Sequence, residues 1–145
     1  MRGSKQMGTW DASVFGNDDA ADYLYELDNA DTFAKIVPVL EAALDFVLDA
    51  LDEIEAPAGA VGIAAAALVA AWEEPSLLGS KTTDVLLPWP RTNDPVPERL
   101  RTKASQVLDR MQDVRGNELA ELWEESGEFP EFSAEVSHWR SRLGD

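Results

Sequence analysis

From Asp31 onward the apolar residues return every three or four positions: Phe33, Ile36, Val37, Leu40, Leu44, Val47, Leu48, Leu51 and Ile54. That spacing falls on one face of a helix and predicts a long amphipathic helix capped by Asp31. Pro38 lies inside it. Proline has no amide to donate and its ring crowds the preceding turn, so the expectation is a kink or a separate first turn. Upstream, Asn17, Asp18 and Asp19 open a shorter helix, since their oxygens accept the free amides of a first turn and favour its positive dipole end. This helix should run to Asp28 or Asn29.

Ala56-Pro57-Ala58-Gly59 is expected to break the long helix. The run that follows, Ala60 to Trp72, is apolar or alanine on every side, and a helix without a polar face is a central, buried one. From Pro75 to Pro97 the period dissolves into Pro, Gly, Thr, Asn and Asp around a short apolar run, Val85 to Trp89, which predicts a long functional or mobile loop. Asp94 with Pro97 starts another helix, with Leu100, Ala104, Val107, Leu108, Met111 and Val114 inward. Asn117 caps a short helix through Leu119, Leu122 and Trp123, closed by Gly127. Pro130 starts a last one with Phe132, Val136, Trp139 and Leu143 inward. Gly8 to Gly16 carries Trp10 and Phe15 without a period and reads as an extended arm pinned by its aromatics. With no repeat, heptad run or period-two alternation, the expected fold is all-α: a single compact domain of about six helices with an extended N-terminal arm and a long Pro-rich loop.

Composition bounds what such a domain can do. The chain has 145 residues, is 45% apolar and has a mean hydropathy of -0.25, the values of a globular chain. At this length it buries about two thirds of the surface that its unfolded form exposes. Met1 to Gln6 is basic, polar and followed by a second methionine, and reads as a tag or upstream-start remnant; the domain is expected over 7–145. The absence of cysteine excludes disulfides, a thiolate nucleophile and Cys-ligated zinc or iron-sulfur centres, and it fits a cytoplasmic setting. His138 is the single imidazole, which excludes multi-histidine metal sites, so any metal would sit on oxygens. No cofactor is expected. The longest low-charge stretch, Ala56 to Trp72, falls short of the about 20 residues that a transmembrane helix needs.

Twenty-eight acidic against 12 basic side chains give a net charge of -16 and a pI near 4.2. Such a chain repels nucleic-acid phosphates and anionic membranes, and the expected partner is a basic protein. The charge is uneven. Gln6 to Ser80 holds 15 acidic residues with Lys35 as the single base, whereas Lys81 to Asp145 holds 13 acids and 9 bases.

The opening Met7-Gly8-Thr9-Trp10, then Phe15 and Asn17-Asp18-Asp19-Ala20-Ala21-Asp22, resembles a bacterial family catalogued only as a domain of unknown function, DUF4259. Its members open with Met-Gly-x-Trp and soon reach Phe-x-Asn-Asp-x-Ala-x-Asp. Asn117 to Glu125 is similar to a segment near that family's C-terminus, and the resemblance spans Met7 to about Leu143. It implies Met7 as the native start, Gly8, Trp10, Phe15, Asn17, Asp18, Asp19 and Asp22 as the motif residues, and no particular activity. The family tends to place glycines between the tryptophan and the phenylalanine. Here Asp11-Ala12-Ser13-Val14 fill that space, which argues against a glycine loop approaching a ligand by its backbone.

Two acidic groups carry the candidate chemistry. Asp11, Asn17, Asp18, Asp19 and Asp22 offer oxygens for Ca²⁺ or Mg²⁺, or paired carboxylates for a hydrolase, although the EF-hand order is missing; capping and solvation are the plainer use. On the long helix Glu41, Asp45, Asp49 and then Asp52 or Glu53 stack on one face opposite the leucines. Like charges at this spacing cost about a few tenths of a kcal/mol per pair, which a basic partner docking on the strip would relieve. Otherwise the strip is a solvated face. Gly79-Ser80-Lys81-Thr82 lacks the glycines of a phosphate loop, and His138 reads as a surface or half-buried residue. Trp72, Trp123 and Trp139 sit at inward helical positions, whereas Trp89, between Pro88 and Pro90, either plugs the domain's own groove or anchors a partner. The expectation is a non-catalytic module binding a basic protein, such as an immunity or antitoxin-like inhibitor of a basic nuclease. Its rivals are a metal-dependent hydrolase built on Asn17 to Asp22 and a housekeeping scaffold.

Overall fold

The computed structural model describes residues 18–78, 89–90 and 92–143. The described α-helices are α1 (Asp18–Asp28), α2 (Phe33–Leu48), α3 (Ala56–Ala70), α4 (Glu98–Met111), α5 (Glu118–Glu125) and α6 (Phe129–Arg142), with one 3₁₀ turn at Pro75–Leu78. No β-strand occurs among the described residues, and the domain is all-α.

Because α3 has no polar face, it can be stable only in the middle. It packs against each of the other five helices and buries Gly59, Ala60 and every residue from Gly62 to Ala70. Ala56-Pro57-Ala58-Gly59 forms its first turn rather than a break: Pro57 stands where no helical amide is required, and its fixed φ suits a helix start. The free Ala56 amide donates to Glu118 Oε1 at 2.7 Å, so a carboxylate of α5 sits at the positive end of α3.

α2 departs from expectation at both ends. Thr32, not Asp31, is its cap, accepting from the Lys35 amide at 3.3 Å, while Asp31 pairs with the Lys35 ammonium. The helix runs through Pro38 without a separate first turn. Pro38 withholds the amide that would bond to the Ala34 carbonyl, and Ala34 lies on the exposed side, where solvent can take its place. α2 stops at Leu48 instead of continuing to Ile54. Leu51, expected inward, is 96% exposed. Ile54 is buried by another route, a parallel bridge to Asn117 in which its amide donates to Gly116 O and its carbonyl accepts from Glu118 N, both at 2.9 Å.

Asn117 holds this junction. It is 0% exposed; its Nδ2 donates to the carbonyls of Met111 and Asp113, and its Oδ1 accepts from the Ala120 amide as the cap of α5. Arg110 binds the carbonyls of Asp113, Arg115 and Gly116 around the same turn, where Gly116 takes φ +62. The inward faces of α4, α5 and α6 are as expected with two exceptions: Leu122 is 42% exposed, and Val114 lies half-buried past the end of α4. Trp72, Trp123 and Trp139 are core residues.

Candidate functional site

The outer face of α2 carries the largest departure from the sequence expectation. Its exposed positions are Ala34, Lys35, Pro38, Ala42 and Phe46; Ala34, Pro38, Ala42 and Phe46 are spaced four apart, and Phe46 is 69% exposed. The expected solvent face was the acidic strip of Glu41, Asp45, Asp49 and Asp52. Instead Glu41 and Asp45 turn toward α4. Arg99 Nε donates to Glu41 Oε1 and Oε2 at 3.2 and 3.0 Å, and Lys103 Nζ reaches Glu41 Oε2 and Asp45 Oδ1, each at 2.8 Å. Hydrogen bonds from Lys103 and then Arg99 hold the Glu41 carboxyl below the usual carboxylate range, while Asp45 and then Glu41 raise Lys103. Half of the expected docking strip is thus neutralised within the chain. Asp49 and Asp52 lie beyond the end of α2 and are exposed.

Between α1 and α2 the surface opens into a groove of about 620 Å³. Its floor is Pro38, Val39, Ala42, Ala43 and Phe46 of α2 with Val61 of α3, and its rim is Asp19, Asp22 and Glu26 of α1. The three carboxylates stand at i, i+3 and i+7, which puts them on one face of α1. All three are exposed, and none pairs with a cation among the described residues. Tyr23 fastens the two helices beneath them: its ring is buried and its hydroxyl donates to Val39 O at 3.1 Å. Burial, and then the nearby Glu26 charge, push its phenol well above the ordinary value, so it stays a neutral donor. Beyond Phe46 a second hollow of about 350 Å³ continues past Asp49, Glu53 and Glu55, over Ala50, Ile54 and Ala58. Phe46 lines both.

Of the motif residues, Asp18, Asp19 and Asp22 lie on α1, the latter two on the groove rim. Gly8, Trp10, Phe15 and Asn17, like Asp11, lie outside the described residues, as does the Gly79 to Thr82 segment. Trp89 is 4% exposed, donates from Nε1 to Leu68 O at 3.0 Å and meets Trp72 edge-on. It therefore packs into the domain's own interior, where its indole N–H and its ring are both used. His138 is exposed beside Trp139.

Among the described residues no three His, Asp or Glu side chains converge to hold a metal ion. The resolved shifts of Tyr23, Glu41, Lys103, Asp113 and Arg115 all lead away from neutrality, opposite to the tuning that a general acid or base needs at neutral pH. No described helix is long and apolar enough to cross a membrane. Sequence reasoning missed Phe46. The available signal was that Pro38, Ala42 and Phe46 repeat every fourth residue outside the leucine face.

The site is therefore a surface feature, an apolar groove with a carboxylate rim on an α-helical domain arranged around one buried helix. The chain belongs to the family described as a domain of unknown function, DUF4259, whose sequence model matches residues 8–135 and so takes in both groove helices. No curated protein and no solved structure matches it.

Proposed function

We propose that this chain is a non-catalytic protein-binding module that takes a basic partner on its α1–α2 face. The observation that carries this reading is the groove itself: an apolar floor ending in Phe46, beside three carboxylates on α1 that pair with no cation among the described residues. Uncompensated like charges on a rim favour an oppositely charged partner and speed its approach. An apolar floor supplies the area for holding it. An immunity or antitoxin-like inhibitor that covers a basic enzyme is the concrete form of this function, and a chain without cysteine suits its action in the cytoplasm.

The test is capture from a lysate of the source cells with the wild-type chain and an Asp22→Asn/Glu26→Gln variant, washed at about 50 mM and about 500 mM salt. The expected result is one basic protein held by wild type at low salt, released at high salt and weakened in the variant. Retention that is equal for both chains, or indifferent to salt, overturns the reading.

A further inference from the structure

The α1–α2 face, left open by the described residues, is a track with a definite shape. Pro38, Ala42 and Phe46 lie in one row on α2, and the eight-residue step from the first to the last covers about 12 Å along the helix axis. Small residues in the middle and a phenyl ring at one end form a shallow trough closed by a ridge. The carboxylates of Asp19, Asp22 and Glu26 run alongside with nearly the same length, and Asp49, Glu53 and Glu55 continue the negative border past Phe46. No cation lines either hollow among the described residues: Arg99 and Lys103 pair with α2 through Glu41 and Asp45 on the flank facing α4, and Lys35, exposed near the start of α2, pairs with Asp31.

Resting on the protein-binding reading above, we propose that the occupant of this track is a basic amphipathic α-helix of the partner, lying along α2 with its apolar stripe over Ala42 and against Phe46. Its Lys or Arg residues, flanking the stripe at i, i+3 or i+4, and i+7, face the α1 carboxylates. A helix suits the trough because apolar anchors recurring every three or four residues match the spacing of the row, and the small side chain of Ala42 permits close approach. The matching i, i+3, i+7 carboxylates select for positive charge on one flank of that stripe. A second copy of this chain is a poor occupant, since it carries the same net charge of -16 and would bring like charge to the same rim.

The experiment uses the full chain and two synthetic peptides of about 16 residues, long enough to span both hollows as a helix. One carries leucine at every third or fourth position with lysine on the flanks. The other is a scramble of the same composition with no helical stripe. Binding is read by fluorescence anisotropy of labelled peptide and peptide helicity by circular dichroism, at about 50 mM and about 300 mM salt. The patterned peptide should bind the wild-type chain, gain helicity and weaken with salt. Phe46→Ser and, independently, Ala42→Glu should each weaken it by about tenfold or more, and Asp22→Asn/Glu26→Gln by about threefold to tenfold at low salt only. All four positions are exposed, so these variants should melt with the wild type, and their melting curves are the control.

Equal binding of the scrambled peptide, or of the patterned peptide to Phe46→Ser, overturns the helix proposal while the basic-partner reading stands. Failure of both peptides to bind overturns both. A dimer of the chain alone, seen by sedimentation and dissolved by Phe46→Ser, overturns the proposal in favour of a copy of the chain as occupant.

Discussion

Two glycines of α3, three residues apart, should respond to the same substitution with opposite signs. A Cβ on Gly62 would lie 2.5 Å from Val47 Cγ2, and a Cβ on Gly59 2.6 Å from Met111 Cε. Ordinary carbon contacts are about 3.5–4.0 Å, so either neighbour must give way by about 1 Å. What differs is whether it can. Val47 is β-branched, held in one rotamer by its own helix and 2% exposed. Met111 offers the last carbon of an unbranched chain with three rotatable bonds. Exchanging a helical glycine for alanine contributes about 1 kcal/mol through backbone entropy at either site. Forcing a methyl against Val47 costs about 1–3 kcal/mol by displacing α2 from α3.

The net expectation is that Gly62→Ala loses about 1 kcal/mol, whereas Gly59→Ala gains about 0.5 kcal/mol. Urea unfolding followed by tryptophan fluorescence reads the difference as a shift in midpoint at constant slope. Val47→Ala supplies the control. Combined with Gly62→Ala, it should be less destabilising than the sum of the single variants by about 1 kcal/mol, because the new methyl enters the space that the valine vacates. A Gly62→Ala chain more stable than wild type, or an additive pair, would refute the claim that this contact sets the α2–α3 distance.

Four further outcomes follow from the structure. Asn117→Ala removes the cap of α5, takes the Asn117 donor from the Met111 carbonyl and leaves the Asp113 carbonyl with Arg110 alone, and should cost about 2–4 kcal/mol in a denaturant titration. Trp89→Ala should cost about 3–5 kcal/mol, and Trp89→Phe less, with the remaining deficit reporting the bond to Leu68 O. Glu41→Gln should lower stability at neutral pH. Because pairing depresses the folded-state pKa of Glu41, its contribution is complete above the unfolded value of about 4.3, so the gap to wild type should close as pH falls through the depressed value. Asp113, pulled to about 2 by hydrogen bonds from the Arg115 side chain and then its amide, should extend the acid limb of the stability curve in the same sense.

The local signals in the chain were sufficient for most of the architecture. Alanine on every side of Ala60 to Trp72 could be accommodated only by a buried helix, and the cap at Asn117 is a matter of adjacent residues. What failed depended on residues far away in sequence. Ile54 continues the apolar period of α2 seven residues after Val47, yet its burial comes from pairing with Asn117, 63 positions later. The acidic strip looked solvated because Arg99 and Lys103 stand 58 and 62 residues from Glu41. Once those cations turn Glu41 and Asp45 toward α4, the face left outward is Pro38, Ala42 and Phe46, a row hidden from a reading that sorted helix positions into a leucine side and an acidic side.

The central claim is that the α1–α2 face is where this domain meets a basic helix. The direct measurement is a two-dimensional amide spectrum of the isotope-labelled chain, titrated with the patterned lysine-leucine peptide. Shifts should concentrate on Asp19 to Glu26 and Val39 to Ala50, with Phe46 and its neighbours moving most, and the Phe46→Ser chain should show none of comparable size. Shifts centred on α5 and α6, or spread evenly over every exposed carboxylate, would contradict it.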